Sequence, residues 1–504
     1  MKRTVAVIAK SIECLIILAA AVSADDWTTA GADAQRSGWV RADTKISPAS
    51  VQSPEFELLW KTKFDNAPRH GSAPSAPVLQ DWLIGHRGFR SLGFVAGTSG
   101  NVFVLDTDLA LREWERPFNV QSDQGTAECP GGMTAGLTRP TIAALPALGG
   151  FAARGRRNPG KSGVGKPKEG AVTLIPATSR PASARTPTVE DTRTRPSGGR
   201  SNRGLGLVFA LTPDGMLRSL YVSNGHDHEA PKQFVPPNAN ARGLIVVDNV
   251  AYVATVNGCG GVPDGIWALD LATDKVSTWK STGGSIAGLL GPAIGPSGVV
   301  YAATEKGGLV ALEAKTLKQL GSSGSIGFHS SPVVVDYNKN DYVAAVAADG
   351  SLKLFDGGNL SSAGATTKPS SNKGFLPGAV ATWLDKSKTH WIVAPSAEGG
   401  KGAITTWKVV DKDGSPALEM GWKSSRIDSP LPPIIVNGIV FAVSGGRGPA
   451  KLHALDGQTG KSLWDSGSAI TSAASGYALS AGPSHIYLSA ADGTLYSFGI
   501  GIEH

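Results

Sequence analysis

The chain has 504 residues, and its 64 glycines, 32 prolines and 18% charged content exclude a mainly helical protein; they suit many short strands joined by turns. The net charge of +7 is local: between residues 150 and 203 nine arginines and three lysines meet three acids, which leaves the remainder slightly negative. A specific nucleic-acid partner is therefore not expected.

Residues 1–24 read as an export signal. Lys2 and Arg3 supply the positive start, 14–22 an apolar run, and Val22-Ser23-Ala24 a small-residue cleavage site. Lys10 and Glu13 interrupt the segment before that run, so an uncleaved or cytoplasmic start is the alternative. Glu13 beside Cys14 argues against lipid attachment there. No other stretch is apolar for long enough to be a transmembrane helix. The expected location is periplasmic or secreted. With the leader removed, Cys129 and Cys259 remain. An even pair in an exported protein points to one disulfide, with two free thiols as the alternative.

From residue 56 onward the chain is a series of similar units. An orphan strand at 58–64 comes first. A unit then runs from Ser75-Ala-Pro-Val78 to Trp114, and a second begins at Arg139-Pro-Thr-Ile142. Residues 149–204 break the second unit with a basic run poor in large apolar groups, expected to be a disordered loop. Solvation alone explains its charge, with anionic polymers or lipid head groups as the other reading. The unit resumes at Leu207-Val-Phe-Ala-Leu and the turn Pro213-Asp214-Gly215. A third unit occupies 244–279. The next two lie between Gly291 and Asp356, each with apolar strands, a glycine hairpin and a strand ending on an acid. Asp270, Glu313 and Asp356 recur at intervals of 43. Further units fall at 379–422 and 433–464, and the last, 478–498, stops after its third strand.

A period in the forties built of strands predicts a β-propeller. The count gives eight four-stranded antiparallel blades, with seven as the alternative, in one domain over 25–504. If 58–64 supplies the missing fourth strand of the last blade, the ring closes and no sheet edge is left there.

The segment Leu452-His-Ala-Leu-Asp456-Gly-Gln-Thr-Gly-Lys-Ser-Leu-Trp464 resembles the repeat of the pyrroloquinoline-quinone-type propellers, with echoes at Val104-Leu-Asp106 and Trp114, at Ala268-Leu-Asp270 and Trp279, and at Ala311-Leu-Glu313. The resemblance covers roughly 55–500. It implies that the tryptophan covers a neighbouring sheet and that Asp with Thr-Gly fixes a turn. It implies two kinds of role: quinone-dependent alcohol or sugar dehydrogenase, or a non-catalytic relative such as an outer-membrane assembly lipoprotein. The alcohol dehydrogenase branch carries a vicinal cysteine pair over the quinone, ligands for calcium and an Asp base; this chain has no Cys-Cys and no Cys-x-x-Cys-His haem motif.

In a four-stranded meander, the connection between blades lies on the same face as the hairpin between second and third strands. Cys129 and Cys259 fall on that face, two blades apart, so a bridge is expected. The same face is expected to collect Arg139, the run His226-Asp227-His228-Glu229, Asn238, Arg242, His329 and Arg426. Arg139 and Arg242 stand just ahead of inner strands, where they could hold an anion such as a carboxylated quinone or pair with a neighbouring blade. His329 has the same two readings. His226 and His228 are weak metal candidates beside plain solvated surface, and no metal site is expected. No serine elbow, phosphate loop or histidine-pair zinc motif is present. The leading expectation is an exported, non-catalytic monomer that binds a protein partner or small ligand on this face as an envelope scaffold. The alternative is a dehydrogenase using pyrroloquinoline quinone with calcium.

Overall fold

A computed structural model describes residues 27–65, 73–85, 88–120, 125–144, 206–368 and 375–501. The expected leader at 1–24 and the insert at 149–204 lie outside the described residues. Eight antiparallel sheets, each with a four-stranded core, follow one another along the chain as the blades of a propeller. Runs of Val, Ile, Ala and Phe form the strands, and glycines at positive φ close the hairpins, such as Gly100, Gly215 and Gly493.

Blade 1 is Val78–Gly85, Gly88–Ala96, Asn101–Asp106 and Arg112–Pro117. Blade 2 is Leu137–Thr138, Leu207–Leu211, Met216–Tyr221 and the two-residue outer strand Lys232–Gln233. Blade 3 spans Asn240–Val247 to Lys275–Lys280, blade 4 Ala293–Ile294 to Gln319–Ser322, and blade 5 Val333–Tyr337 to Asn359–Thr366. Blade 6 spans Ala381–Leu384 to Ser415–Lys423, and blade 7 Ile434–Val436 to Ser462–Asp465. Blade 8 has three strands near the C-terminus, Leu479–Gly482, His485–Ser489 and Thr494–Ile500. Its fourth is Phe56–Lys63, antiparallel to Thr494–Ile500, so the ring closes as the truncated last unit requires.

Where an acid ends the third strand, it caps the turn after it. Asp456 Oδ1 accepts from the backbone N–H of Gln458 and Thr459 and from the Thr459 hydroxyl; Asp106 does the same for Asp108 and Leu109. Outer-strand tryptophans then bind successive blades. Trp60 Nε1 donates to Thr107 O (3.0 Å), Trp114 to Val222 O (2.8 Å), Trp279 to Gln319 Oε1 (3.0 Å) and Trp422 to Gly457 O (2.8 Å). Trp464 meets Phe56 of blade 8 edge-on at 4.9 Å.

The polar segment ahead of the first strand does more than lead into it. It runs along the inner strands and bonds the eight blades in chain order. Trp27 O accepts from Leu79 N, Thr28 O from Arg139 N, and Thr29 Oγ1 donates to Leu244 O. Ala34 O accepts from Ile294 N, Gln35 O from Val334 N, Ser37 O from Thr382 N and Gly38 O from Ile435 N. Asp43 closes the circuit by accepting from Ser484 N on blade 8 (2.7 Å). Trp39–Val40 adds a short parallel strand to the inner edge of blade 7.

Arg36 anchors the segment. It is fully buried, with Nε on Pro292 O (2.9 Å), Nη1 on Thr29 Oγ1 (2.9 Å) and Ala30 O (2.5 Å), and Nη2 on Gly243 O (2.6 Å). Burial pulls its pKa down to about 10, and attraction to Tyr477 and Asp33 partly offsets that, so it stays charged at neutral pH. Replacing Arg36 with Met keeps the stem but strips donors from buried carbonyls. The expected loss is about 3 kcal/mol, read as a lower urea midpoint.

His485 is buried in blade 8 with Nδ1 2.9 Å from Tyr487 Oη. Burial, with a smaller push from Lys45, lowers its pKa to about 4. The unfolded chain takes up this proton near pH 6.5 while the folded chain stays neutral, so stability falls as pH drops from about 6.5 towards 4. The expected contribution is up to about 3 kcal/mol. The check is the pH dependence of the urea midpoint, which should be shallower in His485→Gln.

Candidate functional site

The connection from blade 1 to blade 2 carries Cys129, and the second hairpin of blade 3 carries Cys259. They are joined as a disulfide with Cα atoms 5.5 Å apart. Glu128 O, beside the bridge, accepts from Asn240 Nδ2 and Asn257 Nδ2, each at 2.9 Å. Thr134 locks the same layer, donating to Ala241 O (2.8 Å) and accepting from Ala241 N (3.1 Å). On this face an axial cavity of about 290 Å³ opens, walled by Ala30 of the N-terminal segment, Ser75, Thr134, Asn240, Arg242 and Tyr477. Its polar groups come from blades 1, 2, 3 and 8, so only the closed ring assembles it.

Among the described residues that line this wall, Arg242 is the one full charge. It lies within the inner strand Asn240–Val247, not ahead of it, and its Nη1 donates to Gly288 O of the next blade's approach (3.0 Å). Burial lowers its pKa, with Glu305 and Asp264 pulling the other way. Tyr477, opposite, has its hydroxyl buried, which pushes its pKa well up despite the nearby Arg36.

Arg139 sits elsewhere than expected. The inner strand of blade 2 is Leu137–Thr138, so Arg139 follows it. Its Nη1 donates to Leu79 O of blade 1 (2.8 Å), and the next residues, Pro140–Thr141, pair in parallel with blade 3. Asn238 occupies a turn at positive φ and bonds Pro213 O through its backbone N–H; Asn240, two residues on, takes the place in the wall. His329 is half-buried at the approach to blade 5, its backbone N–H on Val346 O, and does not line the axial cavity. Arg426 is exposed and pairs with Asp428 at 2.6 Å.

The run His226 to Glu229 does not share this face. It follows the third strand of blade 2 and bridges back to it through Leu220 and Asp227, which places it toward the opposite face. The outer strand of blade 2 is only two residues long, which is why the run resembles a connection between blades. Asp227 pairs with Arg116, and His228 Nδ1 lies 2.9 Å from Tyr221 Oη. Among the described residues no group of three His, Cys, Asp or Glu side chains is placed to hold a metal ion. No described helix is long and apolar enough to cross a membrane.

A second and larger concavity, about 670 Å³, lies off the axis between blades 5 and 6. Trp407, Leu418 and Met420 of blade 6 form its apolar wall, and Lys368, Lys423 and Glu398 stand around it. No sequence pattern marked it.

No protein-family model matches the chain, and a search of curated proteins finds no match. Solved structures do match. The quinohaemoprotein alcohol dehydrogenase of Comamonas testosteroni aligns with 95% of this chain and 81% of its own, at 12% identity and a TM-score of 0.56. A europium-containing methanol dehydrogenase aligns with 94% of this chain and 98% of its own, at 10% identity and a TM-score of 0.52. BamB from Moraxella catarrhalis covers 89% of this chain and 99% of its own, at 13% identity and a TM-score of 0.49. The chain has the quinoprotein propeller fold. In this quinoprotein-type propeller the repeat residues build the ring, as the tryptophan and turn contacts above show, and likeness at such identities reaches the fold alone.

Within this propeller the disulfide closes a loop of 130 residues. The double variant Cys129→Ala, Cys259→Ala should lose up to about 5 kcal/mol in the chain-entropy account. Denaturant midpoints of the two proteins measure this, and neither cysteine should react when the unreduced protein is titrated unfolded.

Proposed function

We propose that this propeller is a non-catalytic binding module of the cell envelope, exported by its leader, with the disulfide-bearing face as its working surface. The observation that carries the reading is the composition of the axial wall. No Asp, Glu or His is among the described residues that line the cavity. A calcium ion takes six to eight oxygen ligands, normally including carboxylates, and oxidation of an alcohol needs a positioned base. Arg242 and Asn240 suit an anionic group, but both already bond backbone carbonyls. The wall therefore does not fit a calcium–quinone pair. The disulfide agrees with export to an oxidising compartment.

The dehydrogenase alternative is tested directly. Purified protein is mixed with pyrroloquinoline quinone and calcium while quinone absorbance is followed, then dye reduction with alcohols and aldoses. The expected result is neither saturable binding at micromolar quinone nor dye reduction. Saturable, calcium-dependent binding would overturn the non-catalytic reading.

A further inference from the structure

A blade ends in an outer strand whose free backbone groups can take up another strand, and sheets blunt such an edge by shortness, charge or a bulge. In this ring the outer strands of blades 2, 4 and 7 hold two, four and four residues. Blade 1 ends on Arg112–Pro117, with Arg112, Glu113, Glu115 and Arg116, and blade 3 on Lys275–Lys280, with a lysine at either end. Blade 8 ends on Phe56–Lys63, which carries Glu57, Lys61 and Lys63 and a register shift. In blade 5 the pairing of Asn359–Thr366 shifts register twice. Blade 6 is the exception. Its outer strand, Ser415–Lys423, has nine residues, and from Ser415 to Met420 its pairing with Lys412 back to Trp407 is unbroken.

The direction of each backbone group in that strand follows from the hairpins of its sheet. Asp413-Gly414, both at positive φ, form a two-residue turn, so the flanking Lys412 and Ser415 exchange ladder bonds. Alternation then gives ladder bonds to the pairs Val410–Ala417 and Lys408–Glu419. The other two-residue turn of this sheet, Gly399-Gly400, assigns Trp407 and Val409 to the strand on the far side, which agrees. Pro416, Leu418 and Met420 therefore turn their main-chain groups to the open edge, and no described residue bonds them there. Their side chains share one face, and Glu419 takes the other. Leu418 and Met420 wall the large groove, and Met420 is 63% exposed.

We infer that two copies of this chain pair through this edge, blade 6 against blade 6, antiparallel about a twofold axis at Leu418. The strand is complementary to itself. With Leu418 opposite its counterpart, Pro416 stands opposite Met420 and Ala417 opposite Glu419, so no like charges face each other. The neighbouring register, centred on Glu419, would oppose two carboxylates. In the first register the two Leu418 residues exchange N–H···O bonds, and each Met420 N–H reaches the carbonyl of a Pro416. The donor that Pro416 lacks falls at the fringe of the paired run, where an edge proline is tolerated. Pro416, Leu418 and Met420 of both copies then lie on one face, beside the two grooves, as an isologous contact requires. An edge of this length is smaller than a standard interface, so the dimer forms in a concentration-dependent way. This revises the expectation of a monomer and goes beyond the binding role proposed above.

Sedimentation velocity of the full chain over a concentration series should show a monomer–dimer equilibrium. Met420→Pro deletes an N–H that the ring itself leaves unbonded, and Met420→Lys sets a charge in the apolar row. Each should weaken the dimer at least tenfold while circular dichroism shows the fold intact. Leu418→Cys should give a disulfide-linked dimer under mild oxidation, because a directly opposed, hydrogen-bonded pair brings Cα atoms to about 5.5 Å. Ala417→Cys, opposite Glu419 in this register, should not. A chain that stays monomeric at hundred-micromolar concentration overturns the inference. So does a dimer undiminished in both Met420 variants, or one cross-linked as readily through Ala417→Cys. A monomer that binds the strand-forming peptide Thr-Val-Thr-Val-Thr, with binding lost in Met420→Pro, overturns it too, since the occupant is then another protein. Quinone titration reads the axial cavity and not this edge, so failure here and failure of the non-catalytic reading are separate results.

Discussion

Eight inner strands converging on one axis turn backbone N–H and C=O groups toward a space that no sheet partner fills. Buried groups of this kind cost free energy unless they are bonded. Residues 27–43 answer that constraint by placing one acceptor or donor against each blade in turn. The segment is a rivet made of main chain, and Arg36 is its head. A guanidinium suits the task because its fork of donors meets four oxygens from the segment and from blades 3 and 4 at once. Ring closure by Phe56–Lys63 secures the circumference, and the rivet secures the axis. The cavity beside it takes its shape from both.

The outer surface obeys a second rule. Each blade leaves one face of its sheet to be covered by the next, and the indole spans that boundary while its N–H finds a carbonyl. Indole and aspartate turn together make the repeat conspicuous in sequence. They also make it silent about function, since what recurs from blade to blade cannot distinguish one. Information lies in the exceptions: the two-residue outer strand of blade 2 and the hairpin that carries Cys259.

The ring itself was legible from residues alone. Short apolar strands, glycine hairpins and the acids Asp270, Glu313 and Asp356 at intervals of 43 specify blades, and the truncated last unit calls for the strand expected at 58–64, found at 56–63. The disulfide was legible because meander topology places alternate connections on one face. The rivet was not, because most of its contacts to the blades use backbone groups and its side chains show no period. Arg139 and Arg242 were recognisable as charges near the axis, but residue type does not say that carbonyls of Leu79 and Gly288 receive them. The histidine run went to the wrong face because its blade's outer strand is too short to announce itself.

Cation placement separates the two faces of the functional question. Near the axis the arginines are committed to carbonyls, and burial lowers the pKa of both Arg36 and Arg242. A ligand there must compete with bonds already made. At the rim of the blade 5–6 groove Lys423 pairs with Glu398, which is exposed. Desolvating an exposed lysine against a carboxylate costs little and adds mainly to the rate and register of an encounter.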